Sequence, residues 1–388
     1  MLPLDAVADR PRRRLREEAR ASVQGQQVAA ESIARAQVVR HELLEDREDH
    51  DPQRHLREED PEPKGVRRPR QPLARRQPQA HAQTLPGRPA VSPSPPQTLV
   101  PCPHRAYPDS AVENTPESEF AEAIAGHDHE VDLFGGAIAI ARLGRDDVDA
   151  HALARELDLI AETVRDRGGD RPAAEGLAGV ITAELFENLG FRGNRERYTD
   201  PENSYIDRVI ERRLGIPITL SLVYMEVAQR VGLECDGIGF PGHFLVRCGG
   251  DEGFYLDPFN AGEQPTREDL EERLEGYTTD LPSIDSLLAA VTRRQILQRM
   301  LVNLCVAYQS EGDASRWTEA LGFRLRLEPW NAALYLERGL LYFQQGEEPL
   351  ALADLERYVG SGESDLSPRA LRILDHLRLR LGREGGES

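Results

Sequence analysis

The segment 215–260 limits the possible folds more than any other part of the chain, because one helical pattern and two strand patterns follow each other within it. Apolar residues recur there with the period of a single helical face: Leu220, Val223, Tyr224, Val227, Ala228 and Val231. Gly232 follows as a C-terminal stop signal. The runs 243–248 and 254–257 are β-rich, and the glycine-rich residues between them are typical of a hairpin turn. The sequence therefore predicts a buried helix that leads into two antiparallel strands.

The two predicted strands carry the candidate catalytic residues His243 and Asp257. A carboxylate that bonds to an imidazole fixes its tautomer, and the imidazole can then activate a thiol or hydroxyl at a helix start. A lone histidine at a strand start is more often structural than catalytic. Two interpretations therefore stay open: a hydrogen-bonded pair that orients the ring without catalysis, and a pair that still performs catalysis.

The order of helix, histidine strand and aspartate strand resembles the transglutaminase-like branch of the papain-like superfamily. In that family Gly-x-Cys opens the helix, and the resemblance places Gly215-Ile216-Pro217 at this motif. Proline has no nucleophile, but its fixed φ suits the first turn of a helix. The resemblance thus implies that the fold is kept and that the acyl chemistry of the family is lost at Pro217.

Longer motifs upstream and within the segment resemble the bacterial SirB-type family. They are LGFRGN at 189–194, RERYTDPENSY at 195–205, RRLGIPITLSLVY at 212–224 and FPGHFLVR at 240–247. The resemblance covers residues 115 to 380. It implies a transglutaminase-like core without the cysteine, joined to C-terminal tetratricopeptide-like repeats.

Charge divides the chain into two parts. Residues 1–111 hold 19 Lys and Arg against 16 Asp and Glu, which leaves 29 basic and 51 acidic residues in 112–388. Proline, glutamine and arginine dominate the first part, and few large apolar residues are available there to offset chain entropy. We expect residues 1–111 to be a disordered low-complexity tail or an over-extended gene start, in preference to an arginine-rich nucleic-acid arm.

The acidic excess after residue 111 argues against nucleic acid or an anionic membrane as a partner. The sequence contains no secretion signal and no long apolar span, which predicts a cytoplasmic protein. The four cysteines lack Cys-x-x-Cys spacing, which argues against structural zinc and against a disulfide framework. A glycine-rich phosphate loop is also missing from the sequence, and we expect no cofactor.

Helical patterns flank the predicted strands on both sides. The patterns at 147–165 and 174–186 predict an N-terminal helical layer, which with the strands forms an α+β domain at 112–280. In 281–388 a 34-residue repeat indicates tetratricopeptide-like helices. Leu301, Cys305 and Tyr308 correspond, 34 positions later, to Tyr335, Gly339 and Tyr342. So short an array is expected to dock on the core.

Several polar residues are weaker candidates. Thr219 and Ser221 follow Pro217 in the helix and are alternative nucleophiles, although both also suit a helix N-terminus. A polar cluster precedes the helix and is either a hydrogen-bonded turn or a binding site: Asn194, Tyr198, Asp200 and Asn203. His127-Asp128-His129-Glu130 has metal-ligand residue types, but a solvated linker is the simpler interpretation, and we predict no metal site.

Two functions from different classes fit these observations. The first is a non-catalytic transglutaminase-like adaptor or regulator that binds a protein or peptide in its degenerate cleft and on its repeats, with Tyr308 and Tyr342 as contacts. The second is a cysteine-independent hydrolase or acyltransferase that uses His243, Asp257 and a hydroxyl. We favour the adaptor because Pro217 occupies the nucleophile position.

Overall fold

The computed structural model describes residues 115–169, 173–274, 281–362 and 366–384. All of them belong to one compact unit of the chain. The predicted tail at 1–111 lies outside the described residues. Within the described ranges, helices predominate and a small antiparallel sheet accompanies them, which confirms the α+β prediction.

The elements are numbered in chain order. The helices before the sheet are α1 (Pro116–Ala123), α2 (Leu133–Ala141), α3 (Ala150–Gly168), α4 (Ala174–Thr182), α5 (Ile206–Arg212) and α6 (Pro217–Arg230). The strands are β1 (Arg192–Gly193), β2 (Leu214–Gly215), β3 (Cys235–Ile238), β4 (Leu245–Cys248) and β5 (Phe254–Leu256). The helices after the sheet are α7 (Arg267–Leu274), α8 (Ile284–Leu287), α9 (Arg293–Glu311), α10 (Ala314–Leu327), α11 (Ala332–Gln345), α12 (Glu348–Gly360) and α13 (Pro368–Glu384).

Helix α6 is the centre of the core. The predicted amphipathic helix is present, but residues 217–228 are buried on every face. Helices α3, α4 and α5 pack on it, and strands β3 and β4 also contact it. A helix surrounded in this way is apolar around most of its circumference. The sequence pattern identified only one apolar face, so the helix is more buried than that pattern predicted.

The sheet has one strand more than the sequence predicted. Strand β4 pairs with β5 as expected, and β3 pairs antiparallel with the other edge of β4, giving the order β3-β4-β5. Gly249 and Gly250 have φ of +88° and +81° in the connection between β4 and β5, a conformation that glycine adopts without steric cost. A second, two-residue parallel pairing joins β1 to β2 just before α6.

A disulfide joins Cys235 on β3 to Cys248 on β4. The two residues are direct cross-strand neighbours, and their Cα atoms lie 4.3 Å apart. The expectation that the cysteine spacing argues against a disulfide framework is therefore wrong for this pair. Linear spacing could not reveal this bond, because it depends on a strand that the sequence did not predict.

The C-terminal helices share a continuous apolar core with the rest of the unit. One cluster of buried side chains runs from α1 to α12 and includes Phe120 and Phe323, whose ring centroids are 4.6 Å apart. Tyr205 and Tyr308 meet through their hydroxyl groups across the same boundary. The helices after residue 281 therefore pack directly on the helices and strands before it.

Asp128 makes a further connection between these parts of the chain. Its carboxylate accepts hydrogen bonds from the backbone N–H groups of Arg293 and Arg294 at the start of α9, each at 3.1 Å. A negative charge at a helix N-terminus is stabilising because it meets unsatisfied N–H groups and the positive end of the helix dipole. The interpretation of 127–130 as a solvated linker is thus wrong for Asp128.

None of the helices in the described ranges combines the length and apolar character that crossing a bilayer requires.

Candidate functional site

His243 and Asp257 meet at one end of the β4–β5 hairpin. His243 follows a turn in which its N–H donates to the carbonyl of Phe240, and Asp257 comes directly after β5. The imidazole Nε2 lies 2.7 Å from Asp257 Oδ1. The Asp257 side chain is fully buried, whereas the His243 side chain is 18% exposed to solvent. The structure therefore places an accessible imidazole on a buried carboxylate.

Three further hydrogen bonds hold the Asp257 carboxylate. It accepts the backbone N–H of Asn260 at 3.2 Å, the Asn260 side-chain amide at 2.8 Å and a guanidinium N–H of Arg273 at 3.1 Å. Burial raises the pKa of Asp257, but the bonds and charge of His243, Asn260 and Arg273 outweigh burial and keep its pKa below the usual range. Asp257 is therefore ionised at neutral pH.

An ionised carboxylate only accepts hydrogen, so a neutral His243 carries its proton on Nε2. The second ring nitrogen, Nδ1, is then an unprotonated acceptor, and no described residue hydrogen-bonds to it. This is the arrangement that a general base needs, with one nitrogen fixed by a carboxylate and the other available.

Phe259 forms the floor beside the imidazole. Its ring stands edge-on to His243 at 5.8 Å between centroids and also contacts Tyr198 at 6.1 Å. The Arg195 guanidinium lies 5.1 Å from the centroid of the same ring. Gly193 leaves room for this ring, since a Cβ there would come within 2.5 Å of it. The imidazole therefore lies in surroundings of aromatic rings and a cation.

The start of α6 offers His243 no nucleophile. Pro217 occupies the first helical position. The Thr219 hydroxyl accepts the N–H of Ile216 at 3.1 Å and donates to the carbonyl of Asn203 at 2.8 Å. Ser221 is buried, and its hydroxyl has no hydrogen-bond partner among the described residues. Both hydroxyls are fully buried and neither of these described side chains bonds to His243, so the structure does not support them as nucleophiles, and their assignment stays a prediction.

The polar cluster before the helix is mainly a self-satisfied turn. Asn194 and Asn203 are buried and joined by a 2.9 Å hydrogen bond between their side chains, and Asn203 also donates to the carbonyls of Arg197 and Tyr198. Asp200 accepts the N–H of Glu202 at 3.1 Å, which caps a short 3-10 helix. These three side chains are therefore engaged in holding the turn, and their predicted binding role stays a prediction.

Tyr198 differs from the other three members of that cluster. Its side chain is exposed, at 46%, and stands against Phe259 next to His243. It is the member of the predicted set that the structure leaves available to a ligand.

The two predicted tyrosine contacts in the C-terminal helices have different positions. Tyr308 is fully buried and its hydroxyl meets that of Tyr205, so the prediction that it contacts a partner is wrong. Tyr342 is half-buried and lines a surface groove, where the Arg338 guanidinium lies 5.5 Å from its ring centroid.

Sequence reasoning missed Phe259, Asn260, Arg273 and Arg195. One local signal was available: Asp-Pro-Phe-Asn at 257–260 has the pattern of a capped turn, with aspartate as the cap and proline at the first helical position. Arg273 and Arg195 reach the site from distant segments and left no local signal. Within the described residues, no group of three His, Cys, Asp or Glu side chains is arranged to hold a metal ion.

Comparison with known proteins places this geometry in context. A model described as the transglutaminase-like superfamily matches residues 151–302, which include α6 and both members of the His243–Asp257 pair. Human F-box only protein 21 is 33% identical over 42% of this chain, and the match covers 27% of that longer protein. Menin, a solved structure, is 10% identical with a TM-score of 0.32 over 62% of this chain and 68% of that chain, a likeness too low to support an inference.

Bacterial relatives match over a larger share of their length. A UPF0162 protein of Xylella fastidiosa strain Temecula1 is 36% identical over 60% of this chain and 84% of the relative. A UPF0162 protein of Vibrio cholerae is 30% identical over 48% of this chain and 70% of the relative. With most of the Xylella relative aligned at this identity, the chain belongs to the UPF0162 protein family, and it carries a transglutaminase-like domain.

Proposed function

We propose that this protein is a non-catalytic transglutaminase-like adaptor that binds a protein or peptide partner. One observation carries the proposal: the His243–Asp257 pair is oriented and accessible, yet no thiol or hydroxyl among the described residues is hydrogen-bonded to the ring. An acyl-transfer enzyme needs a nucleophile within hydrogen-bond reach of its base. Here the helix start supplies a proline and a threonine whose hydroxyl is already engaged.

The retained pair has a structural explanation that does not require catalysis. Asp257 caps the 3-10 helix Pro258–Asn260 and holds Arg273 of α7, so it connects β5 to the two elements that follow it. His243 completes the set of groups that hydrogen-bond to this buried carboxylate. The exposed surface around Tyr198, Phe259 and Arg195 then serves as a recognition site with aromatic and cationic character.

In finer detail, we propose a papain-like core of SirB type at 112–280 and tetratricopeptide-like repeats at 281–388. The spacing of 34 residues between Tyr308 and Tyr342 supports a repeat, as does the close packing of α11 on α12 at Gly339. Helical pairs of this kind present a concave face that suits an extended partner. The match to a quarter of F-box only protein 21 supports a module that also works inside longer chains.

The experiment measures covalent chemistry and binding separately. The purified protein is treated with fluorophosphonate and vinyl sulfone probes, and adducts are located by mass spectrometry. We expect no adduct that depends on His243. In parallel, cross-linking in cells of the source organism should recover partners with the wild type and with Leu159→Ala, an exposed apolar control on α3, but fewer with Tyr198→Ala. Equal recovery with all three proteins would count against the cleft as a contact.

The second candidate is a hydrolase in which His243 activates water. The 2.7 Å bond from Nε2 to a buried, ionised Asp257 favours it, because a fixed imidazole with a free Nδ1 is what such a base requires. Ester or amide turnover that disappears in His243→Ala while the thermal melt is unchanged would establish this enzyme and overturn the adaptor.

We also propose a cytoplasmic location, which the Cys235–Cys248 disulfide allows to be tested. Cytosolic thiols are kept reduced, so in the cell the pair should be a dithiol that oxidises on isolation. Alkylation in acid-quenched cells should label both cysteines. If both stay unlabelled until a reductant is added, the protein folds in an oxidising compartment.

A further inference from the structure

A second candidate site lies in a groove between helices α10, α11 and α12, away from the His243–Asp257 pair. The groove has a volume of about 790 Å³, and Glu117 of α1 lies on its edge. Gly322 faces Arg338 across it: a Cβ at position 322 would lie 3.6 Å from the Arg338 guanidinium. The absence of a side chain at Gly322 keeps the middle of the groove open.

One end of the groove is basic. Arg357 of α12 lies over the ring of Tyr335 at 5.4 Å and donates a hydrogen bond of 3.1 Å to its hydroxyl. The Tyr335 hydroxyl in turn donates to the carbonyl of Pro329 at 3.3 Å. Arg326 of α10 lines the same end. Neither Arg326 nor Arg357 is ion-paired within the described ranges, which is notable in a region with 51 acidic and 29 basic residues.

The other end is acidic. Glu319 of α10 and Glu117 of α1 lie close enough to repel each other, and Glu347 lines the wall at the start of α12. Burial, followed by the neighbouring charge of Glu117, raises the pKa of Glu319. None of the three carboxylates has a salt bridge in the part of the chain that the structure describes. Gln345 closes this end by donating to the carbonyl of Ala314 at 2.8 Å.

A neutral aromatic section separates the two ends. Tyr342 stacks with Arg338, whose charge is neutralised by a bidentate pair with Asp354 at 2.7 and 2.9 Å. The groove therefore has unpaired positive charge at one end, unpaired negative charge at the other and an aromatic surface between them.

Helix geometry gives the distance between the charged ends. Glu319 and Arg326 are seven residues apart on α10, and Glu347 and Arg357 are ten apart along α12. A rise of about 1.5 Å per helical residue converts these separations into roughly 10 and 15 Å. An extended peptide covers roughly 3.3 Å per residue, so three to five residues span the same distance.

We propose that this groove binds an extended peptide segment of a partner protein that carries a carboxylate and a cationic side chain three to five residues apart. The carboxylate lies at Arg326 and Arg357, and the cation lies at Glu117, Glu319 and Glu347. An arginine held by a tyrosine stack is well suited to bidentate carboxylate recognition. This inference rests on the proposed adaptor function and adds the chemistry and charge order of the partner.

The test is selection from a random dodecapeptide display library, followed by affinity measurement on synthetic peptides from the enriched set. The wild type should enrich peptides with one acidic and one basic residue at the predicted spacing and in a single order. The variants Arg357→Glu and Glu319→Lys should each lower the affinity for these peptides at least about tenfold, which is the loss expected for one charged hydrogen bond. The double variant should lose the preference for a single charge order, because Arg326 remains beside the new glutamate and Glu117 and Glu347 remain beside the new lysine.

Arg155→Glu is the matched control, because it reverses an exposed arginine on α3 outside the groove, and its affinities should equal the wild type. Thermal melts establish that each variant is folded. Enriched peptides without the charge pair, no enrichment at all, or affinities unchanged by the groove variants would overturn the proposal. If the selected peptides no longer bind to Tyr198→Ala but still bind to the groove variants, the groove proposal is wrong while the adaptor function remains supported.

Discussion

The two sides of the candidate cleft differ in what they retain. On the hairpin side, His243 is fixed by a buried carboxylate that has every hydrogen-bond partner it needs. On the helix side, Pro217 takes the first helical position and Thr219 uses its hydroxyl to hold the entering chain. Among the described residues, the orienting half of a catalytic relay is therefore in place and no attacking group is hydrogen-bonded to it. The difference teaches that the burial and hydrogen bonds that hold the His243–Asp257 pair do not depend on a nucleophile at the helix start.

The largest test of this comparison removes the carboxylate. Asp257→Ala should lower the free energy of unfolding by about 3–5 kcal/mol, because Arg273 and His243 lose a buried charged partner and the cap is lost. His243→Ala should cost less, since Asn260 still hydrogen-bonds to Asp257 and Arg273 still neutralises its charge. Urea unfolding of both variants checks the order. If His243→Ala were the more damaging change, the structural explanation of the pair would fail.

Acid titration tests the ionisation of Asp257. The pKa of Asp257 is lowered in the folded state, so its stabilising contribution is present above the ordinary carboxyl pKa and is lost as the pH falls through the lower folded value. The stability gap between the wild type and Asp257→Asn should therefore be constant at neutral pH and shrink below about pH 4. Each unit of lowering corresponds to about 1.4 kcal/mol. Urea midpoints over this pH range measure the gap, and a gap that stays constant would contradict the assigned ionisation.

The helix side is tested by a matched pair of hydroxyl deletions. Thr219→Val should cost about 1–3 kcal/mol, because it leaves the N–H of Ile216 and the carbonyl of Asn203 without their buried partner. Ser221→Ala should be neutral or slightly stabilising, since its buried hydroxyl has no partner among the described residues. Thermal melts compare the two. A costly Ser221→Ala with a harmless Thr219→Val would show that the wrong hydroxyl has been assigned the structural role.

The main elements on both sides of the cleft were predictable from the sequence, whereas the additional short strands were not. Periodicity located α6 and the strands β4 and β5, because each signal lies within a few adjacent residues. Strand β3, with Cys-Asp-Gly-Ile, has little β-propensity, and its pairing with β4 is what brings the cysteines together. The two-residue pairing of β1 with β2 is equally invisible in a linear pattern.

Long-range contacts account for the remaining errors. Asp128 caps a helix that begins 165 residues later, and Arg273 reaches Asp257 from α7. Tyr308 carried a usable signal, because an aromatic residue at the period of a helical repeat is more often core than surface. The burial of Tyr308 therefore agrees with its place in the hydrophobic pattern of α9 and not with a role as a surface contact.

The smallest predicted effect tests whether position 217 on the helix side faces the His243 imidazole on the hairpin side. In Pro217→Cys the new thiol lies at the first position of α6, where the helix dipole favours the thiolate, and an imidazole that faces this position would favour it further. Its alkylation by iodoacetamide at pH 7 should be about tenfold faster than in Pro217→Cys with His243→Ala, a difference of about one pKa unit. Peptide mass spectrometry separates this thiol from Cys305, whose pKa burial raises to about 12 and which should stay unmodified.

Equal rates in the two Pro217→Cys proteins would show that position 217 does not face the imidazole, and the comparison between the two sides would lose its basis. A His243-dependent rate supports the proposed loss of chemistry at a single position, since one thiol then restores the attacking half. Acyl transfer need not return with it, because the groups that stabilise the reacting carbonyl are separate from the pair that generates the nucleophile. A reactive thiol without turnover is therefore the expected behaviour of a scaffold whose hairpin side is held in place by folding alone.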